Sequence, residues 1–353
     1  MESLREAIDR SSEVSAKMEL FELTKALVNI ESITGHEPAC ARFLRDYTTG
    51  LGFDVELLPF SGERANVFAS RGKPKVVLST HMDTVPPFFA AREDADFIYG
   101  RGACDAKGII AAQLTAAERL LGEGATDFGL LFLAGEEVVS DGARAANLRP
   151  PGSEYIINGE PTDNRLIVGT KGMWWVKIET YGRMAHSSHA ELGESAIEKL
   201  LDILVDARRL PLPRDPVFGP VTVNIGLISG GRAANIVPDR AEADLMYRTV
   251  PMAPDAPSLE SQLERLLAGR GKLRVVRETL PMKMEALEGL ETAVASFTTD
   301  LPSLGNWGRP LLIGPGSIHA AHTENEKVAK ADLTKAVGIY TQLVRDLRSR
   351  CKT

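Results

Sequence analysis

The sequence predicts an α/β fold: a domain with a mostly parallel sheet, interrupted by an inserted α+β domain. Three observations carry this. The N-terminal half alternates helical periodicity with short β-rich runs, the pattern of a sheet covered on both faces. The middle instead reads β-α-β-β-α-β, the split-βαβ order of ferredoxin-like domains. After it, an apolar run and a long amphipathic segment resume the first pattern. With 353 residues, the chain exceeds what one ordinary core holds. The expected domains are 1–171 and 281–353 for the two parts of the interrupted domain, and 172–280 for the insertion.

Each element has its own reason. "MELFELTKALVNI" spaces Leu20, Leu23, Leu27 and Ile30 along one helical face. "EPACARFLRDYTTGLG" reads as a helix closed by Gly50 and Gly52. "FDVELLPF", "ANVFAS" and "KVVLST" read as strands, "AAQLTAAERLLGEG" as a helix, and "FGLLFLAG" and "EYIING" as buried strands. In the insertion, "MWWVKIETYG", "VTVNIGLISGG", "AEADLMYRTV" and "KLRVVRETLP" are strands. "ESAIEKLLDILVDARRL" and "SLESQLERLLAGRG" are its helices. "RPLLIGPGS" then reads as a core strand and "ADLTKAVGIYTQLVRDLRSR" as a closing helix.

Composition excludes several classes. Apolar residues make up 44% and charged residues 25%, as in globular proteins. A net charge of −7 argues against a nucleic-acid partner. No apolar run approaches the ~20 residues that span a bilayer. The charged N-terminus, "MESLREAIDRSSEVSAKMEL", lacks a secretory pattern. Cys40, Cys104 and Cys351 are too far apart for a disulfide framework or a cysteine zinc knuckle. The expectation is a cytoplasmic protein with neither nucleic-acid nor membrane partners.

Chemistry-bearing residues collect at predicted strand ends, where open parallel sheets bind ligands. "VVLST" ends at His81, with Asp83 two residues on. "FGLLFLAG" ends at Glu136 and Glu137, and "EYIING" at Glu160. "RPLLIGPGS" leads to His319 and His322, and "YGRGACDAKG" sets Asp105 before a helix. Histidine with carboxylate and without cysteine suits zinc or a similar divalent ion. Two histidines and three carboxylates exceed one tetrahedral shell and suit two metals sharing a carboxylate. In the Glu136–Glu137 pair, one can bind metal while the other serves as general base toward an attacking water. Asp83 is placed to accept the second N–H of the His81 ring. Each residue also has a plainer reading: Asp105 as a helix N-cap, Glu136 and Glu137 as a solvated pair, Glu160 as a turn residue. "GPGS" lacks the lysine and spacing of a phosphate loop.

"STHMDTVP", "YGRGACDAKG", "LAGEEVVSDGAR", "NGEPT", "GRMAHSS", "AANIVPD" and "GPGSIHAAHTENE" follow one another in the order of a known family. In them the chain resembles the dinuclear-zinc metallopeptidases that include acetylornithine deacetylase, succinyl-diaminopimelate desuccinylase, aminoacylase and carboxypeptidase G. The resemblance runs from about Leu27 to the C-terminus. It implies two zinc ions, which cobalt or manganese can replace. His81 and Glu160 would hold one, Glu137 and His322 the other, with Asp105 bridging. Glu136 would be the general base and Asp83 the residue orienting His81. The insertion would be a lid and dimerisation domain. Its His186 would stabilise the oxyanion in the partner subunit's site, and Asn235 and Arg248 would hold substrate, Arg248 through a carboxylate.

Glutamate at position 160 follows the acylase and deacetylase branch of that family. The segment "SFTTDLPSLGNWGRP" keeps only Thr299 and Asp300 of the glycine-rich "GGTSD" form of the desuccinylase, which points away from succinyl-diaminopimelate. The implied activity is hydrolysis of N-acyl-L-amino acids such as N-acetylornithine or N-acetyllysine by a homodimer. The alternatives are a dipeptidase or carboxypeptidase using the same site and, more remotely, a non-catalytic binding protein. The first 15 or so residues precede the part that matches, and no function is read from them.

Overall fold

A computed structural model describes residues 18–253 and 256–351; the N-terminal residues without an assigned function lie outside this range. Helices are α1 (Leu20–Val28), α2 (Pro38–Gly50), α3 (Lys107–Gly122), α4 (Asp141–Ala146), α5 (Ala196–Arg208), α6 (Leu259–Leu267) and α7 (Lys330–Arg350). The principal strands are β1 (Asp54–Ser61), β2 (Arg64–Arg71), β3 (Val76–His81), β4 (Phe128–Leu133), β5 (Tyr155–Asn158), β6 (Gly172–Tyr181), β7 (Thr222–Gly230), β8 (Arg240–Thr249), β9 (Lys272–Thr279) and β10 (Arg309–Leu312). The chain divides into two compact units. The first runs to Val168 and resumes at Met284–Ala293 and from Thr299 onward; the second comprises Gly169–Lys283 and Val294–Thr298.

The first unit is built on a six-stranded sheet of order β1-β2-β4-β3-β5-β10. The sheet is mixed. β3 pairs in parallel with β4 and β5, and β10 with β5, whereas β1–β2 and β2–β4 are antiparallel. β1 and β2 are joined by a turn of two residues, Gly62 and Glu63, and so short a connection allows only an antiparallel pair. Every residue of β3, β4 and β5 is buried, which is why these strands open on consecutive apolar residues rather than alternating ones. α3 is buried on nearly all sides, from Ile109 to Leu120, and packs against α7. Its Ile109 lies under the end of β5. A Cβ at Gly159 would come within 2.3 Å of Ile109 Cγ2, so only glycine lets the chain pass there to Glu160.

The second unit holds a four-stranded antiparallel sheet of order β7-β8-β6-β9, with α5 and α6 in its core. Along the chain the order is β6-α5-β7-β8-α6-β9. The buried residues of α5, namely Ala196, Leu200, Ile203, Leu204 and Ala207, recur at helical spacing. Ser195 caps that helix by accepting the Glu198 N–H at 3.2 Å. On β6, Trp174 is buried against Tyr247. Trp175 points the other way, and its Nε1 donates to Asp244 at 2.8 Å. β7 is an edge strand and carries the exposed side chains of Leu227 and Ile228. Among the described residues no helix is long and apolar enough to cross a membrane.

Candidate active site

The parallel register places the ends of β3, β4 and β5 side by side. His81 closes β3 opposite Leu133, which closes β4, and Glu136 and Glu137 follow within four residues. Glu160 lies just beyond β5. The turn before Glu136 depends on Gly135, whose φ is 83°. A Cβ there would meet the Asp141 carboxylate at 1.9 Å. Asp141 accepts from Arg64 Nη1 at 2.7 Å, and Arg64 Nη2 donates to the buried Glu37 at 2.7 Å, so charge-assisted bonds tie this turn to β2 and to the start of α2.

Ligating atoms of His81, Asp105 and Glu137 lie within 4.8 Å of one another. His81 Nε2 is 2.9 Å from Asp105 Oδ1, and His322 Nε2 is 3.4 Å from Asp105 Oδ2. The two imidazoles therefore address different oxygens of one carboxylate. His322 Nε2 is also 2.9 Å from Glu137 Oε2, and Glu160 Oε2 is 3.9 Å from His81 Nε2. All five residues are thus in one cluster. His81, Asp105 and Glu160 are buried, Glu136 and Glu137 are half-buried, and His322 is exposed at the mouth. The φ of His322 is 62°, a conformation that costs energy for a residue with a Cβ and that concentrates at functional sites. His319 points to solvent.

The ring of His81 is oriented differently from the expectation. Its Nδ1 lies 3.0 Å from the main-chain oxygen of Asp83 and 3.6 Å from the Asp83 carboxylate. The carboxylate oxygens are occupied by other donors: the Thr34 hydroxyl at 2.8 Å and the main-chain N–H groups of Glu136 and Glu137 at 3.2 and 3.3 Å. Asp83 therefore holds the ring through its carbonyl and the Glu136–Glu137 turn through its side chain.

Electrostatics follow from burying so many acids together. Burial pushes the carboxyls of Glu136 and Glu160 well above the usual carboxylate range and raises that of Glu137. Burial would also raise Asp105, but His322 and His81 hold it well below that range. Burial would lower His81, but Asp105 and Asp83 raise it well above its ordinary value. Asp105 and Glu137 push His322 up to about 10. Such a cluster suits divalent cations. The donors are imidazole and carboxylate, Asp105 faces both histidines, and among the described residues the buried Glu160 Oε1 has no hydrogen-bond partner. A cation would relieve the repulsion that now favours protonating the acids.

The remaining predicted residues lie in the second unit. His186 is exposed and caps the turn Ser187–Leu192, with Nδ1 2.7 Å from Ser188 Oγ. The main-chain oxygen of Asn235 accepts the Ser187 N–H at 3.0 Å, so His186 and Asn235 are neighbours. Arg248 lies on β8, and its buried Nη1 has no hydrogen-bond partner among the described residues. Sequence reasoning passed over Thr34 and Glu326. Nothing marks a lone threonine in a loop, and Glu326 reads as a solvated acid after "HTEN". Asp300, noted only as part of a motif, is fully buried, and burial pushes it up to about 7.

The model for peptidase family M20/M25/M40 matches residues 77–346. A peptidase M20 domain-containing protein of Schizosaccharomyces pombe is 37% identical over 96% of this chain and 87% of its own length. A probable carboxypeptidase of Aspergillus clavatus is 36% identical over 94% of this chain and 83% of its own. Among solved structures, a tripeptidase from Staphylococcus aureus shares the fold, with a TM-score of 0.76, 22% identity, and coverage of 92% of this chain and 98% of that one. The chain that brings two histidines and three acids into one cluster belongs to peptidase family M20/M25/M40 and is a hydrolase of the metallopeptidase class.

Proposed function

We propose that this protein hydrolyses the amide bond whose nitrogen belongs to a terminal L-amino acid, as in an N-acyl-L-amino acid or a short peptide. The observation that carries this reading is the cluster itself: Asp105 facing both His81 and His322, with the half-buried Glu136 beside it. His81 and Glu160 would hold one divalent ion, Glu137 and His322 the other, and Asp105 both; zinc suits these donors, with cobalt or manganese as substitutes. Bound there, the ions supply Lewis acidity and lower the pKa of water toward ~7.

The chain's own residues do the rest. Glu136 takes a proton from the attacking water and passes it to the leaving amine, for which burial has already raised its basicity. Asp83 keeps that base in place through the Glu136 main chain. His186 stabilises the oxyanion, a contribution typically worth about 10²–10³ in rate. Asn235 binds substrate, and the Nη1 of Arg248, without a hydrogen-bond partner among the described residues, is available to the substrate's α-carboxylate. A homodimer through the second unit fits the exposed apolar side chains of β7 and α5, namely Leu227, Ile228, Leu201 and Val205.

Two substrate classes share this chemistry. Glu160 favours N-acyl-amino acids such as N-acetylornithine or N-acetyllysine, through the resemblance of its motif. The probable carboxypeptidase among the relatives favours dipeptides and longer peptides. Side-by-side assays of N-acetyl-amino acids, dipeptides and the same compounds with amidated carboxyl termini test the reading. We expect turnover of at least one free-acid series and its loss on amidation. Equal turnover of the amidated compounds would exclude a carboxylate clamp.

A further inference from the structure

A buried ion pair lies behind three of the loops that carry the clustered side chains. Arg101 Nη1 donates to Glu326 Oε2 at 2.6 Å, and both residues are buried. The other carboxylate oxygen, Oε1, accepts three main-chain N–H groups from a single turn: Gly102 at 2.9 Å, Cys104 at 3.1 Å and Asp105 at 3.0 Å. The Glu326 main-chain oxygen accepts the Gly100 N–H at 3.1 Å. Arg101 reaches onward to the loop after His81. Its Nε donates to the Pro87 carbonyl at 3.2 Å, its main-chain N–H to Phe89 at 3.1 Å, and its guanidinium lies 4.9 Å from the centre of the Phe89 ring.

The consequence is mechanical. The segments bearing His81, Asp105 and His322 are three separate loops, the last more than 200 residues from the others, and the Arg101–Glu326 pair bonds them together. Three amides converging on one carboxylate oxygen fix the direction in which the turn leaves toward Asp105. Asp105 is the residue that faces both histidines, so an error in this turn would disturb both at once. Among the described residues, neither Arg101 nor Glu326 bonds to Glu136, so the pair acts on geometry rather than on the reacting atoms.

We propose that Glu326, paired with Arg101, is a positioning residue that aims Asp105 between His81 and His322 and thereby sets the affinity for divalent metal. This rests on the metal reading given above. Partners that orient metal ligands typically contribute about 10–100-fold to affinity when removed.

Two double variants separate positioning from mere burial of charge. Arg101→Met with Glu326→Gln removes both charges but leaves a carbonyl oxygen to accept the three amides. Arg101→Met with Glu326→Leu removes both charges and the acceptor. Zinc affinity is measured by chelator competition, the cobalt-loaded absorption spectrum reports ligand geometry, and thermal melting reports folding. The expected result is affinity within about threefold of wild type for the glutamine form and at least tenfold weaker, with an altered cobalt spectrum, for the leucine form. Equal affinities and identical spectra in the two forms would overturn the proposal, whatever their melting temperatures. Should the leucine form not fold, Glu326→Asp keeps the charge but shortens its reach. Weaker metal binding by that variant at unchanged melting temperature supports positioning, and unchanged binding overturns it. Failure of the wild type to bind zinc at all would instead sink the metal reading.

Discussion

The carboxylate of Asp83 accepts the main-chain N–H of Glu136 at 3.2 Å. This bond runs from the residue two positions after His81 to the proposed general base, so one residue holds both, His81 through its main-chain carbonyl and the Glu136 turn through its carboxylate. In Asp83→Asn the amide can still accept through its oxygen, but its NH2 group would face a donor where the carboxylate now accepts. We expect metal content near wild type and kcat lowered about 10–100-fold, the usual cost of removing such a support. Unchanged kcat would show that the Glu136 turn holds its shape without Asp83.

Glu136→Gln should abolish measurable turnover while metal content stays near wild type, because the base carries the proton and the neighbouring Glu137 carries the metal. General-base catalysis is typically worth about 10²–10⁴ in rate. Metal analysis beside the kinetics decides the assignment: metal lost in Glu136→Gln but retained in Glu137→Gln would mean that the two roles are exchanged.

Chelation should inactivate the protein, and zinc or cobalt should restore it. Full activity after dialysis against EDTA, with metal verified absent by elemental analysis, would exclude the mechanism.

The metal-free protein should also acquire a characteristic pH dependence. Asp105 and Glu137 raise His322 from 6.5 to about 10, so the folded state binds this proton more tightly than the unfolded state. The stability it contributes is fully present below the unfolded value and is lost as pH rises through about 10. His322 is half exposed, which makes the effect modest. Melting temperatures of the EDTA-treated protein should fall between pH 6.5 and 10 more steeply than those of His322→Gln. With metal bound the difference should vanish, since a ligating imidazole is already deprotonated. Parallel melting curves for the two metal-free proteins would contradict this.

His186 caps its own turn through Nδ1, and among the described residues its Nε2 has no hydrogen-bond partner. If it serves the partner subunit, mixing inactive His186→Ala with inactive Glu136→Ala should restore activity, up to one working site per heterodimer. The site with an intact Glu136 then receives an intact His186 from the other chain. No recovery after subunit exchange demonstrated by mass spectrometry would place His186 within its own chain's site or outside the reaction.

What the sequence by itself determined is whatever depends on local order. Buried parallel strands open on consecutive apolar residues, so β3, β4 and β5 were legible as strands, and the polar residues that end them stood out as a rim. The periodicity of α5 and the alternation along β8 were legible because each element has one buried face. What only the tertiary structure decided is whatever depends on which groups meet. The antiparallel pairing of β2 with β4 made the sheet mixed, and no local pattern specifies a strand's distant neighbour. The carbonyl rather than the carboxylate of Asp83 holds His81, because two main-chain N–H groups more than fifty residues away claim the carboxylate. Glu326 carries no local sign of burial, since its donors lie more than 220 residues earlier. A sequence displays which groups need partners, and burial chooses the partners, because only in the folded interior does an unpaired charge cost enough to dictate geometry.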